Sequence, residues 1–398
     1  MSFFLFNNKP DLSLIFNIRD SVISIGAVRF EKDKKPDLIL CQNFKIKNSE
    51  PDNHKKYVSS MFKVLDKSIL SIRKGLAKIG NKEKIGKHYF FLGSPWCVSK
   101  AKTIKISKDK PFEINSQLLD KVIIGEEFSS EEDIEGETNL LNWKVLEQRI
   151  IQSKINGYKV EEIYGKKASN LAIELFVSFL PFEIKDKLDL YINDRLGKNV
   201  KRQSNSCTLS AYTFLRDLYE DKNDFIYVDV GEFITDVSVV RDDVIFGTGS
   251  FPFGEKNIIE VAMRQSNIPE EVFKSSLSIM SDKRYDTETT KKTEDLLDKG
   301  LEIWENKFKD IISKICTEMN VPNNLFIIPN SLVSNILVKD FARKVEANNF
   351  EILDSQMSIN TISDTVFNSF VINGKVYNNE PYVKMDIIFL DKILKNNK

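Results

Sequence analysis

Hydrophobic and polar positions alternate near the start of the chain in a way that predicts three strands, a helix and a fourth strand. Apolar runs at 12–30 and 38–46, interrupted by polar turns, predict a three-stranded meander. Residues 55–79 place apolar side chains at helical spacing, and 88–92 return to a strand pattern. The predicted order is therefore β-β-β-α-β.

The same pattern starts again at 225–246. An apolar strand is followed by an acidic turn with a glycine, a second alternating strand, an Asp-Asp turn and a third strand, and Gly254 then opens a helix. Two meanders of one design, each followed by helical sequence, predict duplicated α/β halves that face each other across a cleft.

The residues between the two meanders predict a separate unit. Residues 97–180 predict a strand, a helix and three further strands, a small α+β insert whose acidic loop at 126–137 is expected to be solvated surface. Helices are predicted at 182–196, 211–219, 257–263, 269–280, 288–319 and 332–345, and strands at 206–210 and from 325 to a turn at 329–331. We assign 1–96 with 181–222 to the first half, 97–180 to the insert, 223–256 with 321–398 to the second half, and 257–320 to a helical subdomain.

The turn of the second meander carries residues suited to phosphate chemistry. Gly231 would let the backbone approach a phosphate closely, and Thr235 could donate its hydroxyl. A carboxylate at a strand end, here Asp229 with Asp236 nearby, could hold a hydrated magnesium ion. The alternative is an ordinary hairpin in which Asp and Gly only form turns.

Composition excludes several classes of function. Lys plus Arg equals Asp plus Glu at 58 each, so no global charge favours nucleic acid. Four widely spaced cysteines and two histidines provide little material for zinc sites, disulfides or acyl-transfer triads. The apolar run at 1–6 is too short for a signal sequence, and no run approaches the roughly 20 residues of a spanning helix. We expect a cytoplasmic protein.

The hairpin, the duplicated meanders and the insert are features by which the chain resembles the actin-like superfamily, and within it the FtsA and PilM branch. The resemblance rests on Asp229, Gly231, Thr235 and Asp236 with the segment 250–254, on the position of the insert, which includes 155–158, and on 210–213 before the second half. It implies an α/β, actin-like (ribonuclease H-like) fold with duplicated domains, a small α+β insert in the first half and a helical subdomain in the second. It also implies an ATP and magnesium site, with Asp229 as the metal ligand.

The sequence departs from the pattern of that family at several positions. The first phosphate turn has Asn17, Arg19, Asp20 and Ser24, where the family has Asp, Gly, a hydroxyl residue and a nearby Lys. Arg19 adds a Cβ at the point where the backbone would approach the phosphate, although its planar guanidinium could contact a phosphate. Asp20 adds a negative charge that would repel the phosphate. The second turn has Glu232 and Phe233 in place of small residues. The adenosine-side glycines are replaced by Pro329 and Asn330.

These departures predict a degenerate nucleotide site. The candidate nucleotide-binding residues are Asn17, Arg19, Asp229, Gly231, Thr235, Asp236, Gly254 and Asn330. No catalytic residue is assigned, and we expect at most a weak ATPase.

The resemblance implies a scaffold that binds a membrane-associated assembly. A PilM-like protein would hold the cytoplasmic peptide of a membrane protein, through the insert or its junction with the first half. An FtsA-like protein would form protofilaments and bind a tubulin-like division protein. A small-molecule kinase or phosphohydrolase would need a general base, for which Glu232 and Asp20 are the candidates.

The last helical segment distinguishes two modes of membrane association. At 382–398 the apolar residues spread around the helix, and Asp386 and Asp391 would face an anionic surface unfavourably. This pattern favours a core helix over a membrane anchor, so we expect attachment to the inner membrane through a partner, without direct insertion.

Overall fold

A computed structural model of the chain describes residues 12–47, 54–125, 142–197, 200–219, 221–266, 269–281, 287–317, 319–346, 351–352, 355–376 and 380–396. The acidic loop at 126–137 and the apolar run at 1–6 lie outside these residues. The elements in chain order are β1 (Leu12–Ile18), β2 (Val22–Arg29), β3 (Asp37–Lys45), α1 (His54–Lys78), β4 (Ile85–Leu92), β5 (Val98–Glu113), α2 (Ser116–Gly125), β6 (Trp143–Ile155), β7 (Tyr158–Val160), β8 (Lys167–Pro181), α3 (Phe182–Arg195), β9 (Lys201–Ser206), α4 (Cys207–Leu218), β10 (Phe225–Val230), β11 (Thr235–Arg241), β12 (Val244–Phe251), α5 (Glu255–Ser266), α6 (Glu270–Ser281), α7 (Thr287–Ile315), β13 (Asn324–Ile327), α8 (Leu332–Glu346), β14 (Glu351–Ile352), β15 (Ser355–Gln356), β16 (Ser358–Thr361), α9 (Asp364–Asn368), β17 (Ile372–Val376) and α10 (Pro381–Asn396).

Two large sheets form the two halves. The first has the strand order β17-β3-β2-β1-β4-β9, and the second has the order β12-β11-β10-β13-β16. In each sheet the meander is antiparallel, and its first strand pairs in parallel with a later strand, β1 with β4 and β10 with β13. The predicted duplication of the meander is therefore present in the structure.

Each sheet is covered on both faces, which is why its central strands are buried throughout. Leu14 and Phe16 of β1 pack toward α1 and α3, whereas Ile15 packs on the other face with α10. In β10, Ile226 and Val228 pack toward the helical subdomain, and Tyr227 packs toward α4 and α10. Because neighbouring strand residues point to opposite faces, the meander residues separate into two environments.

Helices α4 and α10 contact each other and share a core that draws residues from both sheets. Helix α10 is buried along most of its length, including Tyr382, Ile387 and Leu390. The prediction of a core helix at the C-terminal end of the described chain is confirmed. None of the described helices combines the length and apolarity that crossing a membrane requires.

The insert is a four-stranded sheet of order β5-β8-β6-β7, with α2 beside it. It also reaches the second half: the Thr248 hydroxyl donates to the carbonyl of Ser99, and the Gln152 amide donates to the carbonyl of Asp242 at 3.2 Å. The insert therefore bridges the two halves.

Two predicted boundaries were wrong. The strand predicted at 206–210 is β9, which ends at Ser206, because the Ser206 hydroxyl accepts the amide of Leu209 as the N-cap of α4. The helix of the insert, which the sequence predicts over 111–124, begins at Ser116, after β5 has continued to Glu113. Strand β17 pairs with β3 in the first sheet, so part of 321–398 packs with the first half.

Candidate functional site

The turns of the two meanders meet in the cleft between the halves. The Asp20 carboxylate in the first turn accepts the backbone amides of Phe233 at 2.7 Å and Ile234 at 3.3 Å in the second. Its other oxygen accepts the amide of Ser21 at 2.7 Å. Amides in such a turn are the groups that would bind phosphate oxygens, and here a carboxylate of the chain itself occupies them.

Gly231 permits the close approach of the two turns. A Cβ at this position would lie 2.7 Å from Oδ2 of Asp20 and 2.7 Å from the carbonyl oxygen of Ile234. The amide of Gly231 donates to that same carbonyl at 2.8 Å. The sequence predicted close backbone approach at Gly231, and the structure places the Asp20 carboxylate there.

Arg19 and Asp229 form a buried salt bridge across the cleft, and each residue is less than a tenth exposed. The Tyr382 hydroxyl donates to Oδ1 of Asp229 at 2.9 Å, and the Arg19 guanidinium lies 3.7 Å from the centre of the Tyr382 ring. The indole of Trp96 donates to the carbonyl of Arg19 at 2.8 Å. The carboxylate predicted to bind magnesium thus holds an arginine and a tyrosine from elsewhere in the chain.

Asn17 is a buried residue near the end of β1, two residues before Arg19. Its side-chain amide donates to Oδ2 of Asp386 on α10 at 2.8 Å. Burial raises the pKa of the Asp386 carboxyl well above its usual range, against the effect of this hydrogen bond. Asn17 therefore joins the first sheet to the C-terminal helix.

Thr235 and Asp236 point to opposite faces of the second sheet. The Thr235 hydroxyl is fully buried, donates to the carbonyl of Phe253 at 2.8 Å and accepts Nε1–H of Trp304 at 2.9 Å. Asp236 lies opposite Asp229 in the strand register and accepts the Ser94 hydroxyl at 2.6 Å. Of this pair, only Asp236 shares a face with Asp229.

The environment of Asp236 disfavours its charged form. Burial, together with the neighbouring charge of Asp229, raises the pKa of the Asp236 carboxyl to about 7, although the Ser94 hydrogen bond acts in the opposite direction. Glu255 behaves similarly, since burial raises the pKa of its carboxyl to about 7. The cleft is therefore rich in carboxyl groups, and Arg19 lies among them.

Gly254 places the start of α5 against the second turn. A Cβ at Gly254 would lie 2.4 Å from the carbonyl oxygen of Gly231. The amides of Glu255 and Lys256 donate to the carbonyls of Gly231 and Glu232 at 3.0 and 2.9 Å. Helix N-termini commonly bind anions through such amides, but these two amides are already hydrogen-bonded within the chain.

Asn330 lies at the edge of this arrangement and is exposed. The neighbouring hydroxyl of Ser331 donates to the Glu255 carboxylate. Glu255 was missed in the sequence, although an acidic residue directly after a helix-opening glycine is a recognisable signal. Tyr382 and Asp386 were also missed, and they lie more than 150 residues from their partners in the cleft.

The structure thus brings six of the eight candidate residues to the interface of the halves, namely Asn17, Arg19, Asp229, Gly231, Asp236 and Gly254. In this arrangement they do not fit a magnesium-bound nucleotide, because turn amides hold Asp20 and Asp229 holds Arg19. Among the described residues there is no group of three His, Cys, Asp or Glu side chains that could hold a metal ion.

Comparison with known proteins identifies the fold. No protein-family model and no curated protein sequence matches the chain. Among solved structures, it is similar to the PilM-PilN type IV pilus biogenesis complex, with a TM-score of 0.59 and 10% identity over 98% of this chain and 100% of that chain. It is also similar to a Bacteroides thetaiotaomicron protein with an actin-like ATPase fold, with a TM-score of 0.41 and 8% identity over 95% and 96% of the two chains.

Bacillus thuringiensis ParM with AMPPNP gives a TM-score of 0.40 at 10% identity, over 97% of this chain and 100% of that chain. The two duplicated sheets and the full-length similarity to the PilM-PilN structure define this chain as a protein with the actin-like fold. The fold predicted from the sequence is confirmed. At 10% identity the likeness concerns the fold.

Proposed function

We propose that this protein is a cytoplasmic adaptor of the PilM type, which binds the cytoplasmic segment of a membrane protein and does so without a nucleotide switch. The similarity to the PilM-PilN complex over the whole chain supports the adaptor role. The observation that carries the nucleotide-free part of the proposal is the cleft, in which Asp20 and Arg19 occupy the groups that would otherwise face phosphate and metal.

The same contacts weigh against a phosphotransfer enzyme. A general base must be free to accept a proton from the attacking group, but the Asp20 carboxylate already accepts three backbone amides. Burial raises the pKa of the Asp20 carboxyl, whereas its amide partners stabilise the charged form. Its role in the proposed adaptor is to hold the two turns together.

We expect the wild-type protein to give no binding heat with ATP and magnesium in isothermal titration, and no increase in thermal stability. A ligand present at 100 times its Kd would stabilise the fold by about 2.7 kcal/mol, a readily measured effect. Asp229→Ala serves as the matched variant and should give the same null result. Tight binding to the wild type that is lost in Asp229→Ala would contradict the proposal and indicate a working nucleotide switch.

The insert is the proposed docking surface for the partner. Four large side chains of the insert are exposed, namely Val145, Ile150, Tyr158 and Tyr164, and Tyr158 has 78% of its surface exposed. Exposed aromatic and aliphatic side chains are the usual anchors of protein interfaces. The insert also contacts both halves, through Glu147 with the amide of Ser206 and through Gln152 with Asp242, so a partner bound there would be held on a fixed support.

A photo-crosslinking residue at position 158 is expected to capture a membrane protein through its cytoplasmic segment in cells, whether or not ATP is depleted. The same residue at Val272, which is exposed on α6 of the helical subdomain, provides the control. Equal capture at both positions, or capture only at Val272, would contradict docking on the insert.

A further inference from the structure

Helix α1 carries a stripe of lysines along its outer face. Seven of its 25 residues are Lys or Arg, and Asp66 is its one acidic residue. At about 100° per residue, five lysines and one leucine fall within about 40° of a single line along the helix. They are Lys56, Lys63, Lys67, Leu70, Lys74 and Lys78, and all six are exposed. From Lys56 to Lys78 the helix rises by 22 residue steps, or about 33 Å.

The opposite face of α1 fixes the orientation of this stripe. Val58, Met61, Leu65, Ile69 and Ile72 are buried against the first sheet. Since the helix cannot turn without exposing them, the backbone positions of the lysines are fixed along one line on the surface. This burial distinguishes α1 from a flexible basic tail.

The charge of the stripe is not neutralised by the helix itself. Asp66 lies about 80° away from the line of the stripe, where it accepts the Tyr191 hydroxyl at 2.8 Å and lies 3.4 Å from Nε of Arg195. Within the described part of the chain, Lys63, Lys67, Lys74 and Lys78 form no salt bridge.

The neighbouring helix α3 shows the usual arrangement of surface charge. Lys185 pairs with Asp189 and Lys187 pairs with Glu183, each at i,i+4 spacing. Such pairing gives a solvated helix face with little net field. Helix α1 differs, because Lys63, Lys67, Lys74 and Lys78 form no such pairs within the described residues, although the total formal charge of the chain is zero.

We propose that this α1 stripe is a contact surface for anionic phospholipid headgroups. A straight array of about 33 Å on a rigid helix can touch a plane along its whole length. Leu70, at 59% exposure, lies in the middle of the stripe, where it can enter the headgroup layer without insertion of the helix. The stripe carries no aromatic residue on which nucleic-acid bases could stack.

The contact is electrostatic and, in the proposed adaptor, it would add to the attachment supplied by the membrane partner. Each lysine near an anionic surface contributes about fivefold in affinity, so three lysines contribute roughly 100-fold. A second, tethered contact of this kind raises the effective affinity of a protein already held near a membrane. The inference does not depend on the nucleotide-free cleft or on docking at the insert.

Vesicle flotation with the purified chain tests the proposal. The wild type is expected to bind vesicles of phosphatidylcholine that contain phosphatidylglycerol, and not to bind vesicles of phosphatidylcholine alone. Binding should be lost in high salt, because exposed charges are then screened. The triple variant Lys63→Gln, Lys67→Gln and Lys74→Gln should weaken binding roughly 100-fold.

A control variant with the same change in net charge separates position from total charge. Lys105→Gln, Lys110→Gln and Lys339→Gln remove three exposed lysines from other faces and should leave vesicle binding unchanged. Equal loss in both variants, or no vesicle binding by a wild type with native circular dichroism, overturns the proposal. Binding of soluble polyglutamate without vesicle binding would assign the stripe to an acidic protein instead.

Discussion

Arg19→Met is expected to lower the free energy of unfolding by about 3–5 kcal/mol, because it leaves the buried Asp229 carboxylate without its charged partner. Both residues are less than a tenth exposed, and among the described residues Tyr382 is the side chain that remains to donate to Asp229 in the variant. Methionine keeps the length of the apolar stem, so the loss is mainly electrostatic. Urea unfolding followed by circular dichroism measures the change.

Two comparisons make this test specific to the cleft. Arg195→Met removes an exposed arginine paired with Asp66 and should cost less than about 1 kcal/mol. The double variant Arg19→Met with Asp229→Asn should be destabilised by less than the sum of the single changes, because the uncompensated charge is gone. Additive effects, or a loss below about 1 kcal/mol in Arg19→Met, would show that the pair does not hold the halves together.

In the proposed nucleotide-free adaptor, the salt bridge supplies a connection between the halves. Arg19 comes from the first turn, Asp229 from the second sheet and Tyr382 from α10, so the three side chains connect the parts that meet at the cleft. Asp20 adds a second connection through the amides of the second turn. These contacts use charges and hydrogen bonds supplied by the chain itself.

The sequence predicted the fold well where strong apolar patterns were present. Both meanders and α1 carry such patterns, and β1, β10 and one face of α1 are buried. Strand β9 was misplaced because Lys201–Ser206 contains no apolar residue, and its pairing depends on the neighbouring β4. The pairing of β17 with β3 joins segments more than 300 residues apart, and no local signal indicates it.

The candidate site was predicted less completely, for a physical reason. Local sequence identifies turn residues such as Gly231, but it does not show which distant groups occupy the turn. The strand period was an available signal, since it places Thr235 and Asp236 on opposite faces of β11. The alternation of side chains along β11 predicts that Thr235 faces the helical subdomain. It also predicts that Asp236 lies on the same face of the sheet as Asp229.

Trp304→Ala is expected to destabilise the protein by about 3–5 kcal/mol, through the cavity left in the core of the second half. Trp304 is fully buried, and its ring lies 5.2 Å from that of Phe308, 5.5 Å from that of Phe341 and 5.8 Å from that of Phe251, measured between centroids. Its indole N–H donates to the Thr235 hydroxyl. The variant therefore loses both ring packing and the hydrogen bond that anchors a candidate phosphate-binding residue.

Smaller substitutions separate these two contributions. Thr235→Val keeps the shape of the side chain but leaves the Trp304 N–H without an acceptor, which should cost about 1–3 kcal/mol. Tyr158→Ala, at an exposed aromatic residue of the insert, should change stability by about 0.5 kcal/mol or less. If Thr235→Val were neutral in urea unfolding, the buried hydrogen bond to Trp304 would not be the role of this hydroxyl. A loss that follows the predicted order would place Thr235 in the structural core that supports the second turn, outside any phosphate site.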